Sequence, residues 1–217
     1  MPSSMPDPLY LIGILVFLSL APFVAIMVTS FVKLVVVLSL IRNALGIQQI
    51  PPNMVINGLA LILSIYIMNP VAQETFEILQ ANPIDTKNVA SIQNAATKGQ
   101  EPLRTFLLKH SSERERQFFY NAAKKMWPPN RSANLTTTDL MILIPAFTVG
   151  ELTSAFQIGF LIYLPFIAID IIVSNILLAM GMMMVSPMTI SLPFKLLLFV
   201  TVDGWTRLIH GLVMTYA

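Results

Sequence analysis

From Leu140 to Lys195 the sequence is almost continuously apolar, interrupted by one glutamate, Glu151, one aspartate, Asp170, and a knot of methionines at Met180, Met182, Met183 and Met184. A helix on a soluble domain keeps a polar face for water, whereas a chain dissolved in lipid has no such need. The stretch therefore predicts helices embedded in a membrane. Pro145, Pro165 and Pro187, followed by Pro193, each remove a backbone donor and kink or end a helix. In lipid, freed carbonyls are tolerated only where protein or a water-filled cavity satisfies them. Broken helices, two intramembrane carboxylates and soft sulfur side chains together point to the wall of a passage rather than a plain anchor.

The rest of the chain fits that class. Of its 217 residues, 55% are hydrophobic and 11% charged, against about 25% charged in an ordinary soluble domain. A net charge of +2 is too small and too scattered to argue for nucleic acid. With no cysteine there is no disulfide, thiolate nucleophile or Cys-ligated metal. The stretch Met1–Pro8 holds Asp7 and no Lys or Arg, so the positive n-region of a secretory signal is missing and the first apolar run is expected to be retained.

Four apolar spans are expected, in two hairpins, giving an all-α membrane protein with a polar helical insert. The first span covers Leu9 to Ile41, with Pro22 expected to break or tilt it and Lys33 expected to snorkel to the near interface. A link from Arg42 to Asn53 follows, where Gly46 ends one helix and Pro51-Pro52 restarts the chain in extended form. The second span runs from about Met54 to Ala72. The third is one long kinked helix from Asp139 to Met184, and the fourth covers Phe194 to Val213, interrupted by Asp203, Gly204 and Arg207. This divides the chain into a first hairpin, 1–73, a hydrophilic segment, 74–139, and a second hairpin, 140–217.

The hydrophilic segment holds nine of the thirteen Lys and Arg and seven of the eleven acidic residues, which marks it as a polar domain or cap. Glu101 to Met126 carries apolar residues from Leu103 to Ala122 near helical spacing and is expected to be a helix, Trp127-Pro128-Pro129-Asn130 ends it, and Thr136, Thr137 and Thr138 offer N-caps for the next one. Basic residues in short loops favour the cytoplasm. Arg42 and Lys195 therefore place the N-terminus, the hydrophilic segment and the C-terminal end outside.

Catalytic constellations are absent: no His-Glu-x-x-His helix, no Gly-x-Ser-x-Gly elbow and no phosphate-binding loop. An enzyme is not expected, nor a metal or cofactor, and His110 and His210 read as surface or interface residues. The ionisable groups within apolar sequence are Glu151, Asp170, Lys195 and Asp203 with Arg207. Asp170 and Lys195 flank the methionine-rich turn. With Ser186–Leu192 as the link they are not level along straight helices, so their contact calls for a bend, a re-entrant segment or a neighbouring copy. For Glu151 a structural hydrogen-bonded carboxyl is favoured over a proton relay. The methionines have two readings. They are packing filler, since Met180, Met184 and Met188 share a helical face, or they form a deformable apolar seal, since Met182, Met183 and Met184 cannot all face one neighbour.

Specific residues carry a family likeness. Arg42-Asn43-Ala44-Leu45-Gly46 with Gln48-Gln49 and Pro51-Pro52-Asn53, Pro145-Ala146-Phe147, Phe156 to Phe160, Leu164-Pro165-Phe166, Asp170, Met180 to Met184, Ser191 to Lys195 and Val202-Asp203-Gly204-Trp205 resemble the FliP/SctR (YscR) family of type III protein-export apparatus subunits. The likeness covers both apolar blocks. The short N-terminus resembles the injectisome branch more than the flagellar one. The resemblance implies a homo-pentamer in the bacterial inner membrane, joined by SctS-like, SctT-like, SctU-like and SctV-like subunits, through which unfolded secreted proteins pass. It also implies that Met182, Met183 and Met184 are the pore gasket and that Glu151, Asp170 and Lys195 are intramembrane charges used in assembly or gating. The competing classes are a secondary transporter or proton-conducting channel relaying through Glu151 and Asp170, and a scaffold around a pore lined by other chains.

Overall fold

The computed structural model describes residues 8–47, 49–82 and 89–217. Met1–Asp7, Gln48 of the family motif and Lys87 of the hydrophilic segment lie outside the described residues. Among those described, all regular structure is helical: α1 Pro8–Met27, α2 Phe31–Ala44, α3 Asn53–Ala81, α4 Val89–Gly99, α5 Glu101–His110, α6 Glu113–Met126, α7 Pro129–Ser132, α8 Leu140–Ala179, α9 Pro187–Thr201 and α10 Gly204–Met214.

The centre is α2. Leu34, Val37, Leu38, Ile41 and Ala44 are buried on it, under cover of Ala155 and Phe166 from α8, Ile56 and Ala60 from α3, Phe199 from α9, and Leu208 and Leu212 from α10. A helix with apolar residues all round is one that protein encloses. The expected first span therefore divides. Pro22 sits inside α1 without ending it, and the break comes at residues 28–30, after which the chain enters the core as α2.

α2 and α3 form the first hairpin. The Ser30 hydroxyl bonds the Ser64 hydroxyl at 3.2 Å near one end. At the other, Arg42 Nη1 donates to Asn53 Oδ1 at 2.5 Å and to the Pro51 carbonyl at 3.3 Å. Gly46, at φ +74°, turns the chain out of α2, a conformation glycine adopts without Cβ strain. α3 continues past Glu74 for 29 residues in all.

α8 runs unbroken through Pro145 and Pro165 for 40 residues, about 60 Å at 1.5 Å per residue and twice a ~30 Å hydrocarbon core. It lies beside α2, and Gly159 makes the approach possible: a Cβ there would meet Leu40 Cδ1 at 2.3 Å. Its first turns extend under the hydrophilic segment, where Leu143 and Phe147 pack with Phe106 and Leu107 of α5, and with Val28 and Tyr216. Asp139 stands at its N-cap position without a side-chain bond to the first turn; its Oδ2 accepts instead from the Thr136 N–H of the preceding turn at 2.7 Å, and the expected threonine caps do not form.

The polar helices are set by local signals. The expected single helix from Glu101 to Met126 breaks at Ser111-Ser112. There the Ser112 hydroxyl accepts from the Glu115 N–H, capping α6 and placing Glu113 and Glu115 in its first turn and Lys124 and Lys125 in its last, each favourable to the helix dipole. α6 ends at Met126, ahead of Trp127-Pro128-Pro129.

The second hairpin differs from its expected register. α9 starts at Pro187, so Pro193 lies inside it, and the link is the segment 180–186. After α9 the axis bends by 59° into α10. Asp203 takes a left-handed φ of 52° there, and Phe199 lies so close over Gly204 that a Cβ would meet its ring at 2.3 Å. α3 and α8 are long and apolar enough to cross a membrane, and the bent α9–α10 pair would make a third such unit.

Candidate functional site

Two ion pairs, one fully and one partly buried, and one exposed loop distinguish this fold. The first pair joins α2 to α8. Lys33 Nζ lies 2.9 Å from Glu151 Oε1, the two residues being only 5% and 3% exposed. The Tyr216 hydroxyl donates to Glu151 Oε2, and the Lys33 ammonium also sits 4.3 Å from the centre of the Tyr216 ring. Lys33 therefore does not snorkel. A lysine held at this depth needs its charge matched, and Glu151 supplies the match one helix away.

The second pair joins α8 to α9. Lys195 Nζ lies 2.6 Å from Asp170 Oδ2, and the Ser191 hydroxyl donates to Asp170 Oδ1 at 2.6 Å. Lys195 also donates to the Ala44 carbonyl at 3.2 Å, one of the orphan acceptors at the C-terminal end of α2, where a cation is favoured. Contact needs neither a special bend nor another copy. Asp170 stands nine residues before the end of α8 and Lys195 eight after the start of α9, so with the link at 180–186 the two are level.

Both sites share one plan. Each carboxylate gives one oxygen to an ammonium and the other to a hydroxyl, so both acceptors are used and neither charge is left uncompensated. The partners missed from sequence are Tyr216, Ser191 and the Ala44 carbonyl. Ser191 carried a signal, being four residues before Lys195 and so on the same helical face. Tyr216 carried none, because its neighbours come from α2, α5 and α8.

The methionine segment is the tip of the second hairpin. α8 ends in a Schellman turn: the Gly181 N–H bonds the Leu178 carbonyl at 3.0 Å and the Met182 N–H bonds the Leu177 carbonyl at 2.9 Å. Gly181 takes φ +73°, as that motif demands. Met182 is thereby pinned at the helix end and is 43% exposed, while Met183 is 82% exposed and Met184 fully so. The turn removes them from any shared helical face with Met188. Beside the loop, between α8 and α9, opens an apolar groove of about 400 Å³ lined by Ile169, Ile172, Val173, Ile176, Ile190 and Phe194.

Asp203 and Arg207, singled out with the buried charges, are both exposed, and no ion pair joins them. His210 is exposed. His110 is partly buried, its ring 4.7 Å from Phe106 and 5.2 Å from Tyr216. Burial first, then the charges of Lys109 and Lys33, push its pKa below the usual value.

Ion pairs set among long apolar helices whose outer faces the chain leaves uncovered define an all-α membrane protein. The chain belongs to the FliP family, which it matches over residues 14–212. It is 58% identical over 212 residues to the Yop proteins translocation protein R of Yersinia pestis, covering 98% of each chain. It is 51% identical to the virulence protein YscR of Salmonella typhimurium over 99% of this chain and all of that one. It is also 50% identical to the hypersensitivity response secretion protein HrcR of Ralstonia nicotianae, covering 95% and 96% of the two chains.

Proposed function

We propose that the chain is a pore-forming core subunit of a type III protein-export gate, of the injectisome branch, in the bacterial inner membrane. Five copies, with SctS-like, SctT-like, SctU-like and SctV-like subunits, surround a conduit for unfolded secreted proteins. The hydrophilic segment 74–139 stands on the periplasmic side. Met182, Met183 and Met184 from each copy close the conduit, and the two ion pairs hold the collar in shape. Family membership and the translocation and secretion names of the relatives support the export role.

The observation that carries the pore reading is the loop itself. Met183 and Met184 are apolar, exposed and uncovered by their own chain, at a helix tip closed by the Schellman turn. Free apolar side chains there are explained if copies meet around an axis, where flexible thioethers pack against one another and exclude water. Only 17% of the apolar window of either long helix is buried within the chain, which leaves faces for lipid and sister subunits.

A proton relay finds less support. Each carboxylate is tied to an ammonium and a hydroxyl, and Glu151 and Asp170 are nineteen residues apart on α8, about 28 Å. The test is Met182, Met183 and Met184 replaced together by alanine in the assembled complex. Ions and small solutes leak on this reading; an unchanged seal rejects the gasket.

A further inference from the structure

Tyr216 lies just beyond α10 and is 8% exposed, although five of the six residues before it on the chain are partly or fully open to the surroundings. It meets three other elements at once. Its hydroxyl donates to Glu151 on α8 and its ring face receives the Lys33 ammonium from α2. The ring stacks on Phe106 of α5 at 6.1 Å and an interplanar angle of 15°, with His110 tilted against it.

Filling this space asks only for a ring. Phenylalanine would keep the stacking and the cation–π contact, but it would leave Glu151 Oε2 without its donor. A carboxylate that is 3% exposed has no water to replace it, and an unsatisfied buried acceptor is penalised by its full desolvation. The groups of charge or titration facing the carboxylate are Lys33 from α2, Tyr216 itself, and across the ring His110 from α5, with Lys109 beside it. The phenol is thus the one neutral donor among them that the structure aims at Oε2.

We infer that Tyr216 is the positioning residue of the Lys33–Glu151 pair. Its hydroxyl fixes the carboxylate so that Oε1 points at Lys33, and its ring fastens the pair to α5 of the hydrophilic segment. α2, α5 and α8 then loosen or tighten together. This network operates whatever passes through the assembly, and its failure would leave the gasket reading standing.

The test uses the full chain in detergent and two readouts. The antisymmetric carboxylate stretch of Glu151, isolated by subtracting the spectrum of Glu151→Gln, reports how many donors the carboxylate has. In Tyr216→Phe that band shifts, and backbone amides of residues 31–37 and 148–154 exchange roughly tenfold faster, as expected for loss of one bond to a charged group. Tyr216→Ala adds faster exchange in residues 103–110 of α5, which Tyr216→Phe spares. A Tyr216→Phe protein with an unmoved band and unchanged exchange overturns the inference. Should that variant not accumulate, fluorotyrosine in place of Tyr216 keeps the shape with a stronger donor. It must move the band the opposite way, and an unmoved band again overturns the inference.

Discussion

Leu40 of α2 lies against Gly159 of α8 so closely that no β-carbon fits between them, with 2.3 Å separating Leu40 Cδ1 from where that carbon would stand. This contact fixes how near the two helices come, and so whether Lys33 of α2 reaches Glu151 of α8. Gly159→Ala is expected to destabilise by about 1–3 kcal/mol, the usual penalty of overpacking. Leu40→Ala in the same chain should recover part of it, because the clash is with the leucine side chain. Thermal midpoints of the detergent-solubilised chain measure both.

The Lys33–Glu151 pair should show the asymmetry of buried charge. Glu151→Leu leaves an ammonium unpaired and is expected to lower stability by about 3–5 kcal/mol, whereas Lys33→Met combined with Glu151→Leu should recover most of that loss. Denaturation of the three proteins in one detergent checks it. If the double variant is no better than the single, the pair contributes more than charge neutrality.

Exchanging Asp170 and Lys195 should restore only in part. Asp170→Lys alone places two ammonium groups side by side and is expected to abolish accumulation of folded protein. Adding Lys195→Asp rebuilds the pair, but it also turns a carboxylate toward the Ala44 carbonyl, at the negative end of α2. Asp170 keeps a third of its side chain exposed, so the rebuilt pair is screened and its gain modest. The yield of folded protein for the single and double exchange is the readout; full restoration would mean that the carbonyl contact is unimportant.

His110 gives the hydrophilic segment an acid-sensitive contact. Its folded pKa lies below the ordinary ~6.5 because burial disfavours the imidazolium and Lys109 and Lys33 repel it. The unfolded chain therefore binds the proton first. Stability from this group is present above about pH 6.5 and is lost as the pH falls toward the depressed folded value. The thermal midpoint should drop as the pH falls below about 6.5 in the native chain, and drop less in His110→Phe.

Sequence reasoning went furthest where the signal was local. The long third helix and the turn at Gly46 rest on proline, glycine and apolar runs that act within a few residues, although that helix stops at Ala179, short of the expected Met184. It misjudged register where two local rules competed. The expected link Ser186–Leu192 lies almost wholly inside α9, because Pro187 at the first helical position already starts that helix, and the shift of about six residues is what makes Asp170 and Lys195 level. It misjudged Lys33 for a different reason. Snorkelling and pairing look alike until the partner is known, and Glu151 is 118 positions away along the chain. Tyr216 was illegible altogether, since nothing in its own stretch announces that three helices converge on it.

The central claim is that the loop between α8 and α9 faces the conduit. The chain contains no cysteine, so Met183→Cys introduces a single thiol. Exposed Ile62 on α3, changed to cysteine, serves as a control on an outer face. With a cysteine-bearing secreted protein arrested in the assembled complex, Met183→Cys should form a disulfide with it and Ile62→Cys should not. If Met183→Cys is instead labelled by a lipid-borne thiol reagent and never joins the arrested chain, the methionines do not line the passage.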